Sequence, residues 1–450
     1  MLPIDFIDNM SNQLGGELDA FCQALSEPAV VSIRLNDKLP KQQLDVMAYT
    51  SPSERIPWTD DGYYLSERPR FTLDPMLHAG CYYVQDASSM FLEYVLKTFV
   101  DKDSVVLDLC AAPGGKSTIL SQHLSDKGLL VSNEVVRQRV FVLSENMQKW
   151  GNGNCVVTHN KPAEFAQKLP SVFDCMLVDA PCSGEGMFRK DEKAQEQWSL
   201  PNIQMCAKRQ KEILANVWDA LKPGGIMIYS TCTFNQTENE QITRFIARDL
   251  GADILQLNIP QQWGIVHTDG YRFYPHRLRG EGLYMSVLRK HKTAYSDSIR
   301  IPPLPRRRHI TDESLLRSWL QHPEQWHLRQ TERFTVALPA RYADLVEYLY
   351  AHFTCLSAGF GLSELRGRTQ HPQHSLSMSK ELVAKQFCTV ELDLPTALDY
   401  LRAQAISLEN APKGLVLLTY KSVPLGFAKN IGNHCNNLYP NEWRIRIANS

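Results

Sequence analysis

Between residues 104 and 290 the sequence alternates short apolar runs with longer segments that have helical periodicity. The apolar runs lie in SVVLDLC, GLLVSNE, NCVVTH, FDCMLVD and GIMIYSTC. Short buried strands that alternate with helices are typical of a parallel sheet built from right-handed crossover units. The pattern therefore predicts an α/β domain with an open, doubly wound, Rossmann-like sheet.

Sequence on both sides of this domain predicts further structural units. The 450 residues are three times the usual domain length of roughly 150 residues. We predict an N-terminal α+β segment over residues 1–100, the sheet domain over 101–292 and a C-terminal α+β region over 309–450. Prolines and charges interrupt the periodicity between them and predict a linker over 293–308.

Composition excludes several classes of protein. Hydrophobic residues make up 43% and charged residues 22% of the chain, as in ordinary globular proteins. The N-terminus has no basic and apolar leader, and no apolar run approaches the roughly 18 residues that span a bilayer. The 11 cysteines include no CxxC pair. We expect a cytoplasmic protein with reduced thiols, no membrane contact and no bound metal.

The near-neutral net charge of −1 conceals a basic stretch at residues 261–310. This stretch carries 10 basic and 3 acidic residues. Its arginines are interspersed with Tyr271, Phe273 and Tyr274, a combination that suits a phosphate backbone and unstacked bases. A solvated linker is the alternative interpretation.

The motif LDLCAAPGGKST joins the first strand of the predicted sheet to the following helix. Ligands of open α/β sheets bind beyond the carboxyl ends of the strands, and Gly114 and Gly115 allow the backbone to approach a ligand closely. A phosphate-binding GxxxxGK[ST] loop is excluded, because its first glycine falls at Cys110. Glu134 ends the second strand, where an acid can accept hydrogen bonds from a ribose diol.

The same loop lacks the GxGxxG fingerprint of a dinucleotide site, so it fits a nucleoside cofactor without a pyrophosphate. We expect S-adenosyl-L-methionine, with NAD as the alternative. The segment DALKPGGIMIYSTC, a helix, turn and strand frequent in Rossmann-like methyltransferases, favours the former. The predicted cofactor-binding residues are Cys110, Ala111, Ala112, Pro113, Gly114, Gly115, Lys116, Glu134 and Asp179.

Two cysteines directly follow strand ends. Cys182 lies in LVDAPCSGEGMFRK after the fourth strand, and Cys232 lies in YSTCTFNQTENE after the fifth. Cys155 and Cys175 lie inside apolar strands and are expected to be inert core residues. A thiol in a polar loop can be exposed, and its thiolate, which is the reactive form, can be stabilised. We expect Cys182 and Cys232 to face one cleft, beside Asp179.

Together the three motifs LDLCAAPGGKST, LVDAPCSGEGMFRK and YSTCTFNQTENE resemble those of RNA 5-methylcytosine methyltransferases of the NOL1/NOP2/Sun family. VVSIRLN and GCYYVQDASSM are similar to the N-terminal segment of that family. The layout of the whole chain resembles bacterial family members that act on 16S rRNA, whose tail is similar to PUA-type modules. The resemblance implies that residues 1–100 bind RNA or position the substrate and that residues 309–450 form a PUA-like RNA-binding region.

The resemblance further implies methylation of carbon 5 of a specific cytosine in the decoding region of 16S rRNA. Carbon 5 is a weak nucleophile, but a thiolate that adds to carbon 6 pushes electrons toward it. The family assigns this attack to Cys232, product release to Cys182 and contact with the base to Asp179, which could instead hold the cofactor amine. To donate a hydrogen bond to nitrogen 3 of the base, Asp179 must be protonated or gain a proton.

One position departs from the family pattern. Relatives often carry an acid after the third strand that holds the adenine side of the cofactor, whereas THNKPAEF offers Asn160 and Lys161. The expected partner is 16S rRNA within the small ribosomal subunit or its precursor, and tRNA and 23S rRNA are alternative substrates. A non-catalytic RNA-binding assembly factor is the alternative outside the enzymes. DAPC argues against amino-group methylation, since those enzymes typically carry [DNS]-PP-[YFW] here.

Overall fold

The computed structural model describes residues 2–38, 52–292, 299, 301–303, 310–408 and 411–446. Most of the predicted linker at 293–308 lies outside these residues. Within the described residues no helix is long and apolar enough to cross a membrane. The same residues contain no group of three or more His, Cys, Asp and Glu side chains that could hold a metal ion.

The helices of the described residues occur in all three parts of the chain. They are α1 (Ile4–Leu14), α2 (Leu18–Ser26), α3 (Pro75–His78), α4 (Leu92–Phe99), α5 (Gly115–His123), α6 (Arg137–Trp150), α7 (Pro162–Lys168), α8 (Glu192–Gln197), α9 (Leu200–Val217), α10 (Glu240–Arg248), α11 (Glu313–Ser318), α12 (Ala343–His352), α13 (His374–Met378) and α14 (Leu394–Leu401).

The strands of the described residues form four sheets. They are β1 (Ser32–Leu35), β2 (Pro52–Arg55), β3 (Gly62–Leu65), β4 (Tyr82–Val84), β5 (Val105–Asp108), β6 (Leu129–Asn133), β7 (Cys155–Thr158), β8 (Phe173–Asp179), β9 (Leu221–Thr231), β10 (Ala252–Leu255), β11 (Val266–His267), β12 (Tyr271–Phe273), β13 (Leu283–Lys290), β14 (Trp326–Gln330), β15 (Phe334–Pro339), β16 (Cys355–Ala358), β17 (Phe360–Arg366), β18 (Thr369–Pro372), β19 (Cys388–Glu391), β20 (Gly414–Tyr420), β21 (Val423–Asn430) and β22 (Cys435–Asn437).

The large central sheet confirms the predicted doubly wound α/β fold. Its order is β11-β12-β13-β9-β8-β5-β6-β7-β16, with β10 paired to β13. The five strands expected from the sequence, β5 to β9, are parallel neighbours. The strands beyond β9 and beyond β7 are antiparallel, so the complete sheet is mixed rather than parallel. Strand order reverses between β5 and β8, which places a ligand-binding crevice at their carboxyl ends.

Both faces of this sheet are covered, which explains its apolar runs. Val106 and Leu130 belong to one core together with residues of α4, α5 and α6. Leu107 and Val131, the next residues along each strand, belong to a second core with α7, α9, α10 and α12. Each fully buried valine or leucine stabilises the fold by about 1.5–3 kcal/mol. Strands buried on both sides need apolar residues at every position rather than at alternate ones.

The flanking regions pack on this domain and on each other. The N-terminal α+β segment has a sheet of order β2-β3-β1-β4, and the C-terminal region has the sheets β14-β15-β17-β18 and β19-β20-β21-β22. One core joins Ile33 and Tyr82 of the first segment to Leu398 and Tyr400 of the last. The predicted boundaries stay predictions, but β16 from within 309–450 pairs with β7 and extends the central sheet.

The interpretation of Tyr271, Phe273 and Tyr274 as a base-stacking surface is wrong. All three side chains are buried, and Tyr271 and Phe273 lie in β12 inside the domain core. The guanidinium of Arg272 between them is also buried, where it pairs with the carboxylate of Glu240. The run therefore supplies an internal strand, and the arginines at 306–308 lie outside the described residues.

Candidate active site

Strand register brings the two predicted reactive thiols together. Asp179 at the end of β8 is the parallel partner of Ser230 in β9, and the backbone N–H of Ala180 donates to the carbonyl of Ser230 at 2.9 Å. The two segments that follow β8 and β9 therefore leave the sheet side by side. Just beyond the two strands, Cys182 Sγ lies 3.3 Å from Cys232 Sγ. This is a non-bonded contact between two free, partly exposed thiols.

The carboxylate of Glu185 fixes the loop of Cys182 against the loop of Cys232. Its Oε2 accepts hydrogen bonds from Thr233 Oγ1 at 2.5 Å and from the backbone N–H groups of Phe234 and Asn235 at 2.6 and 2.9 Å. Its Oε1 accepts from Trp198 Nε1 at 2.9 Å and from Asn235 Nδ2 at 3.1 Å. Glu185 is fully buried. A buried carboxylate with five donors leaves little freedom to either loop.

A second buried carboxylate, that of Glu238, completes this frame. It accepts from the Ser183 N–H at 3.0 Å and from Asn235 Nδ2 and Gln210 Nε2, each at 2.8 Å. Burial raises the pKa of Glu238. At Gly186 the loops meet directly, because its N–H donates to the carbonyl of Cys232 at 2.7 Å and an added Cβ would lie 2.5 Å from that oxygen.

The surroundings of Cys182 favour its neutral thiol. The hydrogen bond with Cys232, together with burial and the proximity of a second ionisable sulfur, raises the pKa of Cys182 well above its ordinary value. Two adjacent sulfurs disfavour two negative charges, which favours retention of the proton on Cys182.

Asp179 is held in an ion pair beside the thiols. Its Oδ2 accepts from Lys116 Nζ at 2.7 Å, and its Oδ1 accepts from Ser230 Oγ at 2.6 Å. Burial opposes the charge of Lys116, but attraction and hydrogen bonding to Asp179, with a smaller contribution from Cys232, raise its pKa. Lys116, predicted to bind the cofactor, therefore directs its charge at Asp179 and toward Cys232.

The predicted cofactor loop lies at the carboxyl end of β5. Gly114 has φ of 117°, in the left-handed region that favours glycine, and α5 begins at the next residue. Arg139 donates to the carbonyl of Ala112 at 2.6 Å, and Asn146 donates to that of Pro113 at 2.7 Å. The backbone of Ala111 is held on β6 by a hydrogen bond to Asn133 at 2.9 Å. The loop is thus rigidly held before any ligand binds.

Two acids near this loop have hydrogen-bonding capacity that fits a ligand rich in donors. Asp108 Oδ2 accepts from Ser117, but among the described residues Oδ1 has no partner, and burial raises the pKa of this carboxyl to about 7. Glu134 follows β6, where its Oε1 accepts from the Val136 N–H at 2.9 Å and its Oε2 lies 3.5 Å from Arg139. The ammonium, ribose hydroxyls and adenine amine of S-adenosyl-L-methionine are all donors.

Asn160 and Lys161 follow the third strand of the predicted sheet, where relatives often carry an acid that holds the cofactor. Both have other positions and contacts in this structure. Asn160 is buried, donates to Glu164 at 3.0 Å and accepts from the Thr354 N–H at 3.0 Å. It therefore ties the central domain to the segment that leads into β16. Lys161 is exposed and precedes α7 as its N-cap residue.

Sequence reasoning missed Glu185 and Glu238, although both lie in the motifs that contain the cysteines. Their signal was an acid in a loop rich in Gly, Ser, Thr and Asn, three residues after Cys182 and six after Cys232. Such loops expose many backbone and side-chain donors, and a buried acid is the side chain that can satisfy several of them at once.

Comparisons with known proteins agree with this geometry. A family model described as 16S rRNA methyltransferase RsmB/F matches residues 94–289. Models of the N-terminal domain of 16S rRNA methyltransferase RsmF and of the methyltransferase RsmF PUA domain match residues 2–87 and 387–445. NSun6 from Pyrococcus horikoshii, whose structure was solved with SFG, shares the fold, with a TM-score of 0.56 at 20% identity over 65% of this chain and 99% of that one.

Two curated relatives extend over nearly the whole chain. Ribosomal RNA small subunit methyltransferase F of Aliivibrio salmonicida is 29% identical over 469 residues, which cover 98% of this chain and 97% of that protein. The protein of the same name from Enterobacter sp. (strain 638) is 30% identical over 467 residues, which cover 98% and 95%. These matches confirm the resemblance to the Sun family. The chain belongs to the RsmB/F family of 16S rRNA methyltransferases.

Proposed function

We propose that this methyltransferase uses S-adenosyl-L-methionine to methylate carbon 5 of a cytosine in 16S rRNA through a covalent cysteine–cytosine adduct. The observation that carries the proposal is the pair of thiols 3.3 Å apart at the ends of β8 and β9. Methylation of an amino group requires no thiol, whereas activation of carbon 5 requires one nucleophile and one base.

Cys232 is the nucleophile in this proposal. Its sulfur adds to carbon 6 of the cytosine, and the electron pair of the 5,6 double bond shifts to the bond between carbons 4 and 5. The electron pair between carbon 4 and nitrogen 3 takes up a proton at nitrogen 3, and the resulting enamine makes carbon 5 nucleophilic. The proton held on Cys182 and the nearby ammonium of Lys116 both favour a thiolate at Cys232. Bound S-adenosyl-L-methionine supplies an electrophilic methyl group.

Cys182 then acts as the base that releases the product. Once Cys232 is bonded to carbon, its sulfur no longer carries the charge that held the proton on Cys182. Cys182 can therefore give its proton to water and, as a thiolate, remove the proton from the methylated carbon 5. The electrons of the C–H bond restore the 5,6 double bond, Cys232 leaves as a thiolate, and nitrogen 3 returns its proton to the Lys116–Asp179 pair. The short distance between the sulfurs supports a mechanism in which both act on the same base.

The Lys116–Asp179 pair serves the other edge of the cytosine. Asp179 has a third of its side chain exposed and can accept from the exocyclic amine with an unused lone pair. Lys116 is a charged donor in contact with Asp179, so the proton for nitrogen 3 can come from this pair. Asp179 therefore does not itself have to donate the proton to nitrogen 3, which the sequence interpretation assigned to an Asp179 that is protonated or gains a proton.

The cofactor is assigned to the crevice at the carboxyl ends of β5 and β6. The loop from Cys110 to Gly115 would hold its methionine part, and Glu134 would accept from the ribose hydroxyls. Oδ1 of Asp108, the last residue of β5, is buried and has no partner among the described residues, so it can accept one more hydrogen bond. The assignment of small-subunit rRNA as substrate rests on the names of the relatives and on the PUA match.

Trapping of the covalent adduct tests the proposal. Cys182→Ala protein incubated with S-adenosyl-L-methionine and small ribosomal subunits should accumulate a protein–RNA adduct that survives denaturing electrophoresis, because attack proceeds but release does not. Cys232→Ala should form neither adduct nor product, and the double variant should behave in the same way. Cys388→Ala, which removes an exposed cysteine, is the matched control and should behave as wild type.

The outcomes are distinguishable. An adduct with Cys232→Ala would exchange the two roles, and no adduct with any variant would refute the covalent mechanism. Mapping of the methylated base after incubation with 16S rRNA, 23S rRNA, tRNA and small subunits decides the substrate. Product on tRNA or 23S rRNA alone would overturn the assignment to 16S rRNA, and RNA binding without methyl transfer would favour an assembly factor.

A further inference from the structure

A cavity of about 380 Å³ lies between the C-terminal region and the end of α6. This volume falls within the range of roughly 300–1,000 Å³ found for pockets that hold small molecules. Gln148 of α6, Phe334 at the start of β15 and His374 at the start of α13 contribute to its lining, together with Arg366 and Trp443. The cavity is separate from the cleft that contains the two cysteines.

The side chains around this cavity combine aromatic surfaces with positive charge. Phe334 is 42% exposed although it is a large apolar residue. Trp443 lies with its ring 5.1 Å from the ammonium of Lys149. Arg333 and Arg366 both pair with the carboxylate of Glu364 and still expose more than half of their side chains. Exposed aromatic rings beside exposed arginines suit the bases and phosphates of a single RNA strand.

The ring of His374 lines the cavity, and both of its nitrogens are buried. Among the described residues, neither Nδ1 nor Nε2 of its ring has a hydrogen-bond partner. The rings of Tyr439 and Trp443 lie edge-on to it at 5.0 and 5.2 Å. Burial, followed by the proximity of Lys149 and Lys38, lowers the pKa of His374 to about 3, so the ring is neutral at physiological pH. A neutral imidazole offers one donor and one acceptor, as the edge of a nucleobase does.

We propose that this cavity binds an unstacked nucleobase of the RNA substrate, several nucleotides away from the target cytosine. Trp443 or Phe334 would stack on the base, beside the ring of His374, and Arg333 and Arg366 would contact the adjoining phosphates. The proposal rests on the proposed function, because it takes the RNA substrate as the ligand. Helix α6 begins three residues after Glu134 and ends at the cavity, so about 17 Å of helix separates the two sites.

Crosslinking and binding with the full chain test this site. The probe is an eight-nucleotide single-stranded oligouridine that contains 5-bromouridine, used without cofactor. Irradiation should crosslink it to the peptides that contain Trp443 or His374. Trp443→Ala should weaken binding about tenfold, as expected for the loss of one stacked base. Gln148→Trp, which fills the cavity without removing a wall, should weaken binding to a similar extent.

Control variants distinguish binding in this cavity from binding elsewhere on the protein surface. Phe141→Ala removes an aromatic ring that is 58% exposed on the same helix, and its affinity should stay within twofold of wild type. If Trp443→Ala lowers the melting temperature, the affinity of Gln148→Trp for the oligonucleotide decides whether the cavity binds it. Crosslinks that map only elsewhere, or wild-type affinity of Gln148→Trp, would overturn the proposal. Because no cofactor is present, failure of methyl transfer would refute the proposed function and leave this result standing.

Discussion

The loops after β8 and β9 and the stretch around β12 are both rich in polar and charged residues, but the fold uses them in opposite ways. In the loops, Glu185 and Glu238 are buried so that Cys182 and Cys232 can remain partly exposed in fixed positions. Around β12, the arginine itself is buried against Glu240 and the aromatic rings are enclosed. A polar or charged run in the sequence thus indicates a functional site only where the supporting residues are buried and the reactive residues are exposed.

The largest effect is expected from removal of the carboxylate that fixes the catalytic loops. Glu185→Ala removes the shared acceptor of five buried hydrogen bonds. We expect the free energy of unfolding to fall by about 3–5 kcal/mol and methyl transfer to fall at least tenfold. Denaturant unfolding and initial rates measure the two effects. Glu196→Ala, at an exposed position on α8, should change stability by less than about 0.5 kcal/mol. Unchanged activity of Glu185→Ala would show that the hydrogen bonds of Glu185 are not needed to position the two cysteines for methyl transfer.

Arg272→Leu tests the stretch around β12. It leaves Glu240 as an uncompensated buried charge, so the free energy of unfolding should fall by about 3–4 kcal/mol. Since Arg272 is enclosed, RNA affinity of the folded variant should stay close to wild type in a filter-binding assay. Arg277→Ala is the matched control, because this arginine pairs with Glu17 at the surface and its loss should cost less than about 1 kcal/mol. Loss of RNA binding without loss of stability in Arg272→Leu would restore the RNA-contact interpretation.

Acid should destabilise the packing between the N-terminal and C-terminal regions. Burial is the largest cause that lowers the pKa of His78 to about 4 and of His374 to about 3. The unfolded chain binds protons at these groups below pH 6.5 and the folded chain does not, so stability is lost as the pH falls from 6.5 toward 4. Two such groups predict a loss of about 2–3 kcal/mol between pH 7 and pH 5.5 in urea unfolding. His374→Leu should remove about half of this dependence, and an unchanged pH profile would contradict the prediction.

The smallest effect is expected at the edge of the cofactor crevice. Glu134→Ala should weaken S-adenosyl-L-methionine binding by about 1–3 kcal/mol in calorimetry, because the ribose hydroxyls lose their acceptor. The stability of the protein should change little, since among the described residues the Glu134 carboxylate pairs only with the Val136 N–H and, at 3.5 Å, with Arg139. Wild-type affinity would exclude Glu134 from the cofactor site and leave the loop at Gly114 as its main contact.

Much of the fold follows from local pattern. The strands β5 to β9 were predicted from apolar runs, and the parallel arrangement follows from the helices between them. The expectation that Cys182 and Cys232 meet also follows, because parallel neighbours end on the same edge of a sheet. The antiparallel strands β10 to β13 were not predicted, since β12 has only three residues and its buried Arg272 resembles a surface residue in the sequence.

The sequence by itself determined which residues lie at the carboxyl ends of the strands, because periodicity and glycine-containing turns are local properties of the chain. Only the tertiary structure decided that Lys116 faces Asp179, that Asn160 ties the domain to Thr354, and that the arginine of β12 is internal. It also decided that β16 joins the central sheet and that His374 and Trp443 share a cavity with α6. These contacts join residues far apart in the chain, and whether a polar group is paired, buried or free depends on such distant partners.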